Sequence, residues 1–521
     1  MCRSLFTRNE INNMKKQSGM TRREFGKLLG ALGIMGYIDS HSIAMAATSG
    51  PTQIGMLANQ TAGAEGTWWL HDIEGEIPKE INGTMYRTAP GESGRFGVKF
   101  NHAFDGDAYV SGYSMRDGKI WLDARFINTP ERVAEQTAGK MTYSEFGTRA
   151  PGAKGMNNKN QANVNIIPWD GRLLALSEGG HPVAVNPKDM SFDSTWGFHG
   201  TLPKNVSFTA HPKYDPATGE GFAYGFEQGP GFSLCVFRMN PGDGTVTLLH
   251  KVKQPAFFML HDMFMTENYL IFGIPPIKYQ LGDMLSGKTT IAEAINFFEK
   301  DPLRFIILNR DGTGKPLVIE QPSKMVFHNG NAFEKNGHIF LDSFQQPDDK
   351  SFIALRNIDS MGNLPSMEDP SSFTRYEMDP KKGEVVSRSI LAEDQDFPRF
   401  DIRQSGKEAR HLYVGEGDVD ADPLRFAKIV RHDFKTGSTV SAETSKNRTF
   451  GEPVFVPKEG PQTEDNGWIM NQGYDGDRNE SYFEIRDAAT LELQARAWTG
   501  QHLPLGFHGN FMPGWFVNEP V

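Results

Sequence analysis

Two cysteines in 521 residues leave little room for covalent cross-linking. Cys2 lies in an N-terminal segment that reads as removable, so Cys235 stands alone and the mature chain can form no intrachain disulfide in any compartment. Positive charge is also short. The chain has 54 Lys and Arg against 64 Asp and Glu, a net charge of −10, which argues against nucleic acid as the main partner because phosphate binding needs a basic face. Long hydrophobic runs are missing: the apolar stretch from Leu28 to Ile38 covers 11 residues, where a bilayer-spanning helix needs roughly 20. Neither a clustered acid pair nor a stripe of tryptophans stands out, which counts against a propeller hydrolase or a sugar-binding module. No repeat motif is visible either.

Glycine (55) and proline (31) are plentiful, as expected of many strands joined by tight turns. With 38% hydrophobic and 23% charged residues the chain reads as soluble and globular. Residues 1–46 read as a twin-arginine signal peptide. Thr21-Arg22-Arg23-Glu24-Phe25-Gly26-Lys27 is followed by the apolar run, and Ala44-Met45-Ala46 offers a small-residue cleavage site. Its seven basic and three acidic residues leave the mature chain with 47 against 61, a net of −14. Export from a bacterium to the periplasm or beyond is the expectation, and this route, which carries folded proteins, suits a cofactor inserted beforehand. Residues 47–66 read as a linker and 67–521 as one domain.

From about Thr67 short strand signals alternate with turns. Asp117-Gly118 and Asp170-Gly171 lie between alternating apolar residues, a strong hairpin signal. Tyr269-Leu-Ile-Phe-Gly273, His338-Ile-Phe-Leu-Asp342 and Gly467-Trp-Ile-Met-Asn471 are further strand candidates. The 455 residues after position 66, divided at roughly 65 per four-stranded blade, predict a β-propeller of about seven blades. Leu281 to Lys300 reads as a helix with Ile291, Ala294, Ile295 and Phe298 on one face, a cap over one end of the propeller and the mouth for an apolar substrate.

Four histidines share one context, an apolar run ending at a turn: Phe208-Thr-Ala-His211, Phe258-Met-Leu-His261, Val326-Phe-His328 and Gly506-Phe-His508. Their spacings of 50, 67 and 180 residues, the last close to three steps of 60, place one histidine in each of four repeats facing a common axis. Four neutral imidazoles suit zinc, copper, nickel or iron, and the wide spacing excludes a local zinc-finger arrangement. The other ten histidines read as core or surface residues. Metal-bound histidines pass their second ring proton to a carboxylate. Glu178 lies 33 residues before His211, while Asp396 and Glu452 fall at the two steps that His328 and His508 leave empty.

These stretches resemble the carotenoid cleavage oxygenase family of carotenoid-, apocarotenoid- and stilbene-cleaving enzymes. The likeness runs from about residue 65 to the C-terminus. It is carried by Phe104-Asp-Gly-Asp107, Asn163-Val-Asn-Ile-Ile167, Leu173 to Gly180, Thr209-Ala-His-Pro212, His261-Asp-Met-Phe264, Phe327-His-Asn-Gly330, Gly451-Glu-Pro-Val454 and Gly506-Phe-His-Gly509. The resemblance implies a seven-bladed propeller with a helical cap. It also implies one Fe(II) per chain on His211, His261, His328 and His508, with Glu178, Asp396 and Glu452 as outer carboxylates. The implied reaction splits a conjugated C=C bond of a carotenoid or apocarotenoid with O2, each fragment ending as a carbonyl, so no acid–base residue is demanded. Four neutral ligands leave two octahedral positions free, and the metal supplies the oxygen chemistry while the protein positions the substrate.

The chain departs from the family pattern at several points. Asp396 stands where the family usually has Glu, and Val164 falls where many members have threonine. Ala108-Tyr109-Val110 follows the Phe-Asp-Gly-Asp motif in place of the common residues. Glu131 occupies the position where stilbene-cleaving members carry a substrate-gripping lysine, two residues after Thr129, which lowers the stilbene-type (lignostilbene) alternative. A non-oxygenase isomerase or carrier of apolar polyenes on the same scaffold is the other alternative, and the survival of all four histidines counts against it. An apolar entrance implies transient contact with a membrane surface.

Overall fold

The computed structural model describes residues 54–227, 232–350, 353, 371–417, 424–460 and 463–521. The signal segment and residues 47–53 lie outside them. Among the described residues no helix is long and apolar enough to cross a membrane.

The strands form seven main antiparallel sheets, each a blade, so the fold is a seven-bladed β-propeller. Five blades follow chain order. Their first strands are Asn165–Trp169, Lys213–Tyr214, Phe264–Met265, Met325–Lys335 and Gln395–Arg399, each at one end of its sheet. The remaining two close the ring. The C-terminal strand Gly509–Pro513 pairs with Gly83–Pro90, while the N-terminal Ile73–Gly75 joins Leu493–Trp498 on the blade built from residues 448–498.

Both expected hairpins form. Arg116 pairs with Lys119 across Asp117 (φ 53) and Gly118 (φ 74), and Trp169 pairs with Arg172 across Asp170 (φ 49) and Gly171 (φ 73). Two successive positive φ values are what a type I′ turn requires, and Asp-Gly tolerates them at low cost. The strand candidates at 269, 338 and 467 become Tyr269–Ile274, His338–Gln346 and Gly467–Asp475.

Apolar side chains fill the spaces between blades. Phe222, Tyr224 and Leu234 of one blade pack with Leu270, Phe272 and Ile306 of the next. Each such buried side chain contributes on the order of 1.5–3 kcal/mol. Residues 54–58, within the expected linker, also contribute: Ile54 and Ala58 are buried against Tyr474 and Leu505.

The expected helix over 281–300 is not one. A helix spans Leu281–Ser286 and stops at Gly287, whose φ of 71 takes the left-handed capping conformation. Thr290 and Glu293 then bond each other's backbone N–H groups, and Ile295–Phe297 pairs as a strand with Ile277–Tyr279. The apolar spacing fits a helical period, but burying Ile277 and Ile295 in one cluster requires the hairpin. A helix the sequence reading passed over spans Pro130–Ala138, capped by Thr129, whose hydroxyl accepts from the Arg132 N–H.

Candidate metal centre

His211, His261 and His508 end the approach to the first strand of their blades, and His328 lies within one. The blades therefore point four side chains at one place. One ring nitrogen from each of the four lies within 4.8 Å of the others. Nε2 of His211 and Nε2 of His261 are 3.1 Å apart, and the His211 and His508 ring centroids 4.5 Å.

The outward nitrogens meet carboxylates. His328 Nδ1 donates to Asp396 Oδ1 at 2.7 Å and His508 Nδ1 to Glu452 Oε1 at 2.8 Å. His261 Nδ1 lies 2.8 Å from Glu178 Oε1. The hydrogen bonds of His328 and His508 place a proton on Nδ1 and turn Nε2 to the centre as a lone pair. His328 Nε2 is buried there without a hydrogen-bond partner. Four imidazole lone pairs converging on a buried point are what a borderline transition metal needs, so these residues fit such an ion.

Burial pushes His211 well below the usual imidazole range, helped by the neighbouring histidines, and pushes His508 down to about 4 against the pull of Glu452. Burial also opposes charge on His328, but Asp396 outweighs it and raises that ring. Glu452 is buried, which alone would raise it, yet Arg399, His508 and Arg87 hold it down at about 2. Two of the four rings are thus strongly held in the neutral form a metal requires.

Asp396, a methylene shorter than glutamate, reaches His328 directly because the strand bulges. The register slips between Asp396 and Arg399, and Phe397 takes φ 53. Successive side chains normally face opposite ways, but a bulge re-aims them. The ring of Phe397 therefore also faces the centre, 4.9 Å from His328 and 5.2 Å from His508. Val164 is half-buried, and its carbonyl accepts from the His508 N–H at 3.2 Å.

An apolar wall flanks the histidines. Phe327 lies 5.5 Å from His261 and clusters with Phe104, Phe146, Met259, Ile277 and Ile295, the last two from the hairpin insertion. The sequence reading missed the phenylalanines as a wall, although Phe104 and Phe327 sit inside motifs it singled out. Phe104-Asp-Gly-Asp107 is anchored from below: Asp105 accepts from Gly147 N and Thr148 Oγ1, and Asp107 pairs with Arg95, Arg132 and Lys159. Those three cations had carried no signal in the sequence. Ala108, Tyr109 and Val110 are buried in the strand that follows. Glu131 and Thr129 line a cavity of about 320 Å³ with His181, Lys204 and Ser207, and none of the four histidines lines it.

A propeller whose blades converge on four histidines backed by carboxylates defines a class of oxygenases, and the chain belongs to it: this is a member of the carotenoid cleavage oxygenase family. Residues 59–513 match the family model described as retinal pigment epithelial membrane protein. The chain is 30% identical over 473 residues to the apocarotenoid-15,15'-oxygenase of Synechocystis, covering 87% of this chain and 94% of that one. It is 27% identical to resveratrol cleavage oxygenase 1 of Aspergillus fumigatus, covering 85% and 92%. Cobalt-substituted Synechocystis apocarotenoid oxygenase superposes with a TM-score of 0.79 at 27% identity, over 88% of this chain and 98% of that one.

Proposed function

We propose that this enzyme is an iron(II)-dependent dioxygenase that cleaves a conjugated C=C bond of a carotenoid or apocarotenoid to two carbonyl products. The observation that carries this reading is the convergence of His211, His261, His328 and His508 beside the apolar wall of Phe104, Phe146 and Phe327. When bound, the iron supplies the activation of O2. The protein's own work is positional. Glu178, Asp396 and Glu452 orient the ligand rings, Phe397 screens two of them from water, and the aromatic wall holds a flat polyene by dispersion and stacking. No residue has to transfer a proton.

The apocarotenoid-15,15'-oxygenase supports a polyene substrate. We further propose that residues 1–46 direct export through the twin-arginine route. Membrane contact would be made by the cap, where Leu285 is 60% and Met156 47% exposed. The test is metal analysis of the purified mature chain together with product analysis from carotenoids, apocarotenoids and stilbenes in air. One iron per chain with paired carbonyl fragments supports the reading. Zinc in its place after anaerobic purification, or products only from stilbenes, overturns the metal or the substrate respectively.

A further inference from the structure

The polar contacts around the propeller axis join into a closed ring with one link between each pair of neighbouring blades. Asn165 Nδ2 donates to the carbonyl of Ala210, the residue before His211, at 2.7 Å. Lys213, two residues beyond His211, lies 2.7 Å from Oδ1 of Asp262, the residue after His261. Asp262 Oδ2 accepts at 2.9 Å from the N–H of Asn329, the residue after His328. His328 reaches Asp396 at 2.7 Å. Arg399, in the same strand as Asp396, stands 3.6 Å from Glu452. Glu452 accepts from His508 Nδ1 and from the Gly509 N–H at 2.8 and 3.1 Å. Asn510 Nδ2 then donates back to Asn165 Oδ1 at 3.2 Å. Arg399 Nη2 braces the last two links, donating to the Gly509 carbonyl and to Asn510 Oδ1, both at 2.8 Å.

The four histidines come from four separate blades, so nothing local sets their mutual geometry, whereas a coordination shell tolerates errors of only about 0.2 Å. Neighbouring blades share apolar packing, which is non-directional. Charge-assisted hydrogen bonds are directional and short. Asp262 is 4% exposed, and a carboxylate that buried is sustained only by full pairing. Its oxygens are taken by Lys213 and by the N–H groups of Met263 and Asn329, so it ties the strand ends of three histidines together. Arg399 acts at a single histidine: it joins Glu452, which holds the His508 ring, to Gly509 and Asn510 just beyond it.

We propose that Asp262 and Arg399 are positioning residues of the metal centre, the two clasps of a seven-link ring that holds the four ligand strands in register. The inference rests on reading the histidines as a metal site. Its test is cobalt(II) titration of the purified full chain, with affinity from chelator competition and geometry from the visible ligand-field spectrum. Asp262→Asn and Arg399→Lys are each expected to weaken cobalt binding about 10–100-fold, the usual effect of losing an outer partner, and to shift the spectrum. The control Glu484→Gln weakens a buried ion pair with Arg486 and Arg496, on strands of the 448–498 blade that carry no ring residue, and is expected to leave affinity and spectrum unchanged. Asn510→Ala removes the closing link to Asn165 together with the Arg399 brace, and is expected to weaken cobalt binding and shift the spectrum if a charged variant does not fold. Variants with wild-type affinity and spectrum overturn the ring, as does a control that shifts equally. A wild-type chain that takes up no cobalt overturns the metal-site reading itself.

Discussion

Asp396 Oδ1 and His328 Nδ1 stand 2.7 Å apart on neighbouring blades, His328 buried and Asp396 half-buried. The contact exists because Phe397 adopts φ 53 and the strand bulges. Asp396→Asn removes the charge that raises His328 while leaving the shape intact. The expected result is a 10–100-fold loss of metal affinity with circular dichroism unchanged. An unaltered affinity would show that the contact does not act on the centre.

Replacing any one of His211, His261, His328 or His508 with alanine is expected to remove activity and to lower metal content below one per chain. Full occupancy in any of the four variants would refute that ligand.

The rings also predict how metal uptake depends on pH. His211 lies well below the usual imidazole range and His508 at about 4, so neither holds a proton between pH 5.5 and 8. His328 is raised by Asp396 and is a ring whose proton the metal must displace. Because a raised group is protonated below its own pKa, affinity should fall as pH drops through neutrality. With two of the four rings already neutral, the slope of log affinity against pH should not exceed two protons. Chelator competition across this range checks it; a slope of three or four would contradict the neutral rings.

Gly225 supports the run into His211. Its strand accepts backbone hydrogen bonds from Ser207 and Thr209 through Phe226 and Tyr224, and a Cβ at Gly225 would stand 1.8 Å from the Ser207 carbonyl. Gly225→Ala is therefore expected to destabilise the apoprotein by at least about 1–3 kcal/mol and to weaken metal binding at the same time. Thermal unfolding and metal titration read the two effects.

Exchanging Arg22 and Arg23 for lysine tests export. Unprocessed chain should accumulate in the cytoplasm while retaining activity there; processing at wild-type levels would count against the twin-arginine route.

The four histidines, their carboxylates and the number of blades were legible in the sequence because the fold repeats. Each histidine closes an apolar run at a similar place in its blade, so a one-dimensional spacing near 60 residues becomes a three-dimensional convergence. Asp-Gly hairpins were legible for a local reason, the positive φ values that few residues accept. The cap was misread because Ile291, Ala294, Ile295 and Phe298 fit a helical period, while Gly287 ends the helix and the pairing with Ile277–Tyr279 claims Ile295. The bulge at Phe397 left no mark in the sequence, since its φ is imposed by the blade around it.

Sequence alone thus determined which residues can meet: strand period, turn chemistry and repeat length are local properties that composition and spacing record. Tertiary structure alone decided how they meet. The reach of Asp396, the aromatic wall beside His261 and the ring through Asp262 and Arg399 each join residues from different blades. Such contacts depend on the mutual height and rotation of packed sheets, which no single stretch of chain encodes.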